Sequence, residues 1–224
     1  MQPEGVLDSA YHVKRTIKRS HAYRLKRRTL EVVKVIDAYF PGSSNRLKIL
    51  DAGTADGLML SDIKTHYPQS LCIGLEYAED LIKTNEDDRL TMLRGDAAAL
   101  PFQEDSFDLL TACAIIEHLP DADRFIRESF RVLKRNGILI VTTPVPFWEK
   151  MLTKTGNLDD DQHYCTYNLN RLTGIFKKGK FKILKGEKFM MSPIGFPFEL
   201  FFERIMKAVH FTITLGNQIV VGQK

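Results

Sequence analysis

The sequence predicts an α/β domain built on a mainly parallel sheet with helices on both faces. Short, almost uninterrupted apolar runs recur from Leu47 onward, as strands buried on both sides require. Longer stretches of helical character separate them, which is the spacing of parallel strands joined by crossovers. No repeat, low-complexity tract or linker divides the 224 residues, so one domain is expected.

The elements follow in order. LKILDAG reads as a buried strand running into a turn, and LCIGLE as a second strand. Between them, Leu58–His66 has the composition of a helix, stopped by Pro68. Leu90–Leu93 forms a short third strand, Phe107–Cys113 a fourth and Gly137–Thr143 a fifth, ended by Pro144. From Asp121 to Lys134, Phe125, Phe130 and Leu133 alternate with charges as on a helix that covers a sheet. Phe181–Glu187 and Gln218–Gly222 read as two further strands. The segment between them is too long and too apolar for a hairpin, and Phe198–Val209 within it reads as a helix. The chain thus divides into a basic helical arm (1–46), a core (47–187), a helical insertion (188–215) and a last strand (216–224).

Hydrophobic residues at 44% and charged residues at 27% are ordinary globular usage. No stretch reaches the roughly 18–20 apolar residues of a membrane span, and the first residues lack the apolar centre of a signal peptide. Cys72, Cys113 and Cys165 share no short spacing, so reduced thiols and a cytoplasmic location are expected. Residues 1–30 carry eight Lys/Arg against Glu4 and Asp8, whereas the whole chain is only +4. Such an arm is either a solvated helix face or a surface for an anionic substrate, nucleic acid or membrane. The absence of interleaved aromatics argues against nucleic acid. Oligomeric state is not readable from the sequence.

The chemistry concentrates where strands end. Asp51-Ala52-Gly53-Thr54-Ala55-Asp56-Gly57 joins the first strand to a helix, with glycines that let the backbone bend and a ligand approach. Ala55 and Leu58 stand where a dinucleotide fingerprint begun at Gly53 needs glycines; Leu58 and Met59 stand where a P-loop needs Gly-Lys. Glu76 ends the second strand, 25 residues after Asp51, where a carboxylate can accept ribose hydroxyls. Asp96 follows the third strand, placed to accept from an adenine amino group. Three carboxylates at successive strand ends mark one ligand-binding edge, although each alone is more often a cap or solvated turn residue.

LKILDAGTADG, CIGLEYAED, LRGDAAALPFQEDSFDLL and IIEHLPDADRFIRESFRVLKRNGILIVTTP, in that order and spacing, resemble the motifs of class I S-adenosylmethionine-dependent methyltransferases, specifically the type 11 group. The likeness is strong over 47–145 and looser over 160–187 and 216–222. It implies a Rossmann-like, seven-stranded, mostly parallel sheet with an antiparallel last strand. It implies S-adenosylmethionine as cofactor. Asp51, Gly53 and Gly57, with neighbouring Thr54, then shape the methionine side, while Glu76 and adjacent Tyr77 meet the ribose. Asp96 and Ala97 meet adenine, and the backbone around Ala112 lines the methyl-donor end. Ala55 stands where the family usually has glycine, so a slightly less close backbone approach is expected there.

Methyl transfer from a sulfonium needs alignment and a dry pocket above all. Should the acceptor need a general base, His118 and His163 are the candidates, although a lone histidine is more often structural. Some O-methyltransferases hold a divalent metal with a Glu-x-x-Glu-His run. Ala114 replaces the first Glu here, so no metal is expected, with Glu117, His118 and His163 as its conceivable ligands. The expected reaction is methyl transfer to a small-molecule or lipid-linked acceptor, with oxygen favoured. RNA modification and a non-catalytic cofactor-binding or regulatory module are the alternatives. The cationic arm and the apolar insertion together suit an acceptor with an anionic head and apolar tail, or an anionic membrane that presents one.

Overall fold

The computed structural model describes residues 19–41, 46–146, 148 and 164–224. One seven-stranded sheet organises them, in the order β3-β2-β1-β4-β5-β7-β6. The strands are β1 (Lys48–Ala52), β2 (Leu71–Glu76), β3 (Thr91–Arg94), β4 (Phe107–Cys113), β5 (Leu133–Pro144), β6 (Lys182–Phe189) and β7 (Asn217–Gln223). β1 to β5 pair in parallel, and β7 runs antiparallel to both β5 and β6. The sheet matches the Rossmann-like, mostly parallel architecture with an antiparallel last strand. That last strand is interior, between β5 and β6, rather than at an edge.

Helices cover both faces. Against one lie α4 (Ala122–Val132) and α5 (Leu169–Lys178), with Phe125, Ile126, Leu172 and Phe176 packed on Leu50, Leu110, Leu139 and Val220. Against the other lie α1 (Arg19–Tyr39) and α2 (Leu58–His66), with Val32, Ile36, Leu60 and Ile63 packed on Ile49, Leu109, Ile140 and Ile219. Alternate residues of the central strands therefore feed two cores, which is why these strands read as continuous apolar runs. A short α3 (Glu79–Ile82) follows β2. Helix α4 begins on Asp121, whose carboxylate accepts from the Arg124 N–H at 2.8 Å. β5 begins at Leu133, four residues before the expected Gly137.

The arm and the insertion interlock. The insertion's helix, α6 (Glu199–Ala208), lies beside the first turns of α1. Arg27 donates to Glu203 at 2.5 Å and Tyr23 to Glu199 at 2.5 Å. Arg27 and Arg28 are buried, so these two cations of the basic arm serve packing rather than a solvated face. Among the described residues no helix is long and apolar enough to cross a membrane.

Candidate functional site

Strand order reverses between β1 and β4: β1, β2 and β3 step one way across the sheet, β4 and β5 the other. A crevice opens at such a reversal, outside the carboxyl ends of the strands. The loop 53–57 forms one wall of it. Gly53, Ala55 and Gly57 all hold positive φ, at 69°, 53° and 78°. Glycine takes this region freely, whereas an L side chain does so at a cost of about 1–2 kcal/mol. A Cβ on Gly53 would stand 2.2 Å from the Ile115 Cδ1, and one on Gly57 2.5 Å from the Asn85 Nδ2. At Gly53 even the Ile115 Cβ would stand at 3.0 Å, so space adds to conformation, whereas at Gly57 the contact is the movable end of Asn85 and the positive φ decides. The Gly53 and Thr54 N–H groups donate to the Leu75 carbonyl, pinning the loop to β2.

Ala55 is the position where a glycine was expected. Its methyl group is buried in a small cluster with Ala78 and Leu81. Burying one methyl offsets much of the left-handed strain, since a buried CH₂ or CH₃ is worth about 0.8 kcal/mol.

The acidic residues are distributed along this edge. Asp51 is buried and accepts from the Thr111 hydroxyl at 2.7 Å, tying β1 to β4 beneath the loop. Glu76 accepts from three backbone N–H groups: Ala55 at 2.9 Å, Tyr77 at 2.8 Å and Ala78 at 3.0 Å. It therefore holds the loop and the start of α3 while using three of its roughly four acceptor sites. Tyr77 is exposed beside it. Asp96 is exposed and accepts from the Ala98 N–H at 2.8 Å, shaping the turn that buries Ala97. Gly95 donates to the Glu76 carbonyl at 2.9 Å, which brings the ends of β2 and β3 together.

On the far side of the reversal, Ala112 is buried in β4 and Ala114 takes a left-handed conformation directly after it. The neighbouring Cys113 thiol is pushed up to about 12, by burial first and by the Asp51 carboxylate second, so it stays protonated at neutral pH. A short 3₁₀ turn, Ile116–His118, then carries Glu117 and His118. Glu117 is buried and accepts from the Thr143 hydroxyl at 3.0 Å, linking this turn to the end of β5. His163 lies outside the described residues. Among the described residues no cluster of three His, Cys, Asp or Glu side chains has the arrangement of a metal site.

The structure thus gathers Asp51, Gly53, Thr54, Gly57, Glu76, Tyr77, Asp96, Ala97 and Ala112 along one sheet edge. Sequence reasoning missed three supports of that edge. Asn85 donates to the Asp56 carbonyl at 2.9 Å, Thr111 braces Asp51, and Ile115 fills the space a side chain on Gly53 would need. Asn85 sits in a polar loop with no periodicity to mark it. Thr111 and Ile115 read simply as strand and apolar residues.

Residues 50–141 match the family model described as "Methyltransferase domain". Over this stretch the chain is similar to methyltransferase domains. Over 111 residues the chain is 33% identical to 2-methyl-6-phytyl-1,4-hydroquinone methyltransferase 2, chloroplastic, of Oryza sativa subsp. japonica, covering 47% of this chain and 32% of that protein. Over 102 residues it is 28% identical to malonyl-[acyl-carrier protein] O-methyltransferase 1 of Coxiella burnetii, covering 46% of this chain and 35% of that protein. The chain matches only about a third of the length of these relatives. A SAM-dependent methyltransferase from Archaeoglobus fulgidus shares the fold, with a TM-score of 0.68 and 16% identity over 97% of this chain and all of that one.

Proposed function

We propose that this methyltransferase domain binds S-adenosylmethionine at the β1–β4 reversal and transfers its methyl group to a small-molecule or lipid-linked acceptor. The observation that carries this reading is the left-handed glycine loop flanked by Glu76 and Asp96 at successive strand ends. The residues present fit the cofactor's chemistry. Gly53 and Gly57 leave backbone where side chains would intrude, and Asp96 is an exposed acceptor for an amino group. Glu76 keeps about one acceptor site beyond its three backbone donors, enough to begin ribose recognition.

When bound, the cofactor supplies a sulfonium methyl group that is already electrophilic. The protein's contribution is then placement and exclusion of water. Asp51 and Thr111 fix the floor of the crevice, and Ala112, Cys113 and Ala114 wall the side where the methyl group would lie. His118 stands on the same side and is the group suited to take a proton from an oxygen acceptor. Oxygen is favoured over nitrogen or carbon, in keeping with the O-methyltransferase named among the relatives.

Calorimetry with S-adenosylhomocysteine tests the reading. The wild-type protein should bind it, and Glu76→Ala should cost about 2–4 kcal/mol of affinity by removing an anionic acceptor and its loop contacts. Failure of the wild type to bind, or equal binding by the variant, would overturn the assignment.

A further inference from the structure

Helix α6 is built inside out. Its two carboxylates point inward, where Glu203 meets Arg27 and the Met190 N–H, and Glu199 meets Tyr23 and the Met191 and Ser192 N–H groups. Its apolar side chains point outward. Leu200, Phe201, Phe202 and Ile205 are exposed, and the flanking Ile194, Phe196, Phe198, Val209, Phe211 and Ile213 extend the same character. A monomeric soluble protein rarely exposes a contiguous apolar surface beyond a few hundred Å² without a use for it.

Phe198 sharpens the point. It holds φ 63°, a left-handed conformation unfavourable for a bulky residue, yet its side chain is 79% exposed. The strain is repaid by no packing within the described residues.

Among the described residues the exposed charge bordering this surface is mainly cationic. The acids beside it are Asp62, near Lys26, and the part-buried Glu187, paired with Lys207. Glu199 and Glu203 are the only acidic residues in 188–215, and both are buried. Arg19, Lys26 and Arg204 are exposed. Arg19 and Lys26, with Tyr23, line a groove of about 450 Å³ whose other wall is Ile194, Phe196 and Pro197. One wall is cationic and the other apolar.

We propose that the α6 face is a docking surface for an anionic lipid bilayer, with Phe198 and Phe201 entering the acyl boundary and lipid phosphates meeting Arg19 and Lys26. Apolar side chains with a cationic border are the composition of a segment that lies in a membrane interface. A protein partner would be met by a rim of evenly mixed polar groups, whereas among the described residues this face is bordered mainly by cations. A second copy in an isologous pair would bring two cationic borders to one interface. The inference rests on the surface alone and does not depend on methyl transfer.

Flotation of the full chain with vesicles decides it, using phosphatidylcholine alone and phosphatidylcholine with about one third phosphatidylglycerol. The protein should rise with the anionic vesicles only, and less as salt increases. The paired change Phe198→Glu with Phe201→Glu should reduce partitioning by about tenfold or more, and Arg19→Glu with Lys26→Glu by a comparable factor. Both pairs should keep wild-type affinity for S-adenosylhomocysteine in calorimetry if the wild type binds it, and wild-type circular dichroism in any case, which separates loss of docking from loss of fold. Protein that stays down with both vesicle types overturns the proposal, including protein that forms a dimer through Phe198 and Phe201 instead. Correctly folded variants that float as well as the wild type overturn it too.

Discussion

Helix α4 turns Phe125, Ile126 and Val132 into the core and Arg124 and Arg127 to solvent; α6, of nearly the same length, turns Glu199 and Glu203 inward and Phe201 and Phe202 outward. Both are amphipathic, so pattern alone does not distinguish them. What differs is the surface beneath. Under α4 lie Leu110, Leu139 and other apolar residues of the central strands. Under α6 lie the Arg27 guanidinium, the Tyr23 hydroxyl and the backbone N–H groups just past the end of β6. Those donors need acceptors when buried, and the i, i+4 glutamates of α6 supply them. A helix face is chosen by what its neighbour must satisfy, and where the neighbour is polar the apolar face is left outside.

Paired truncations break this comparison most directly. Phe125→Ala should cost about 3–5 kcal/mol, as deletion of a fully buried ring does. Phe201→Ala, at an exposed position, should change stability by no more than about 0.5 kcal/mol. Urea unfolding of the two variants measures the gap; comparable losses would mean that Phe201 is packed.

The inward charges come next. Glu203→Ala should cost about 3 kcal/mol because it leaves the buried Arg27 short of its nearest carboxylate. Replacing both partners, Arg27→Met with Glu203→Leu, should recover most of that loss, since an apolar pair of similar volume has no charge to desolvate. If the double variant is as unstable as the single one, the carboxylate's bond to the Met190 N–H, rather than the ion pair, holds α6 in place.

Acid should give the smallest effect. Burial acts to raise the Glu187 carboxyl, but Lys207 and Lys185 outweigh it and hold the group below its ordinary value. A carboxyl lowered in the folded state adds stability that is present at neutral pH and lost as pH falls through the folded value. Lys207 joins Glu187 to Glu203, so α6 should loosen below about pH 4 while apolar-anchored α4 holds. Hydrogen exchange over 199–208 and 122–132 would show it as a loss of protection confined to the first segment.

The strands β1 to β5, the helix α2 and the glycine loop were legible in the sequence because each depends on local chemistry: apolar runs, a helix-stopping proline, and glycines at a strand end. The acidic edge was legible for a related reason, since parallel strands joined by crossovers bring their carboxyl ends to one side whatever their order. The basic count of residues 1–30 was equally plain, but not its use, because a charge total carries no information on which cations meet buried partners.

Sequence alone therefore determined the α/β layering and which residues stand at the carboxyl edge of the sheet. Tertiary structure decided that β7 enters between β5 and β6, because pairing across 70 and more residues leaves no local signal. It also gave Glu76 three backbone donors, a role set by the approach of Ala55 from another strand's loop. Above all it decided the orientation of α6. Ten residues with phenylalanines on one face and glutamates on the other fit either way round. Only the guanidinium and amide donors brought beneath them by α1 and β6 made the polar side the inner one.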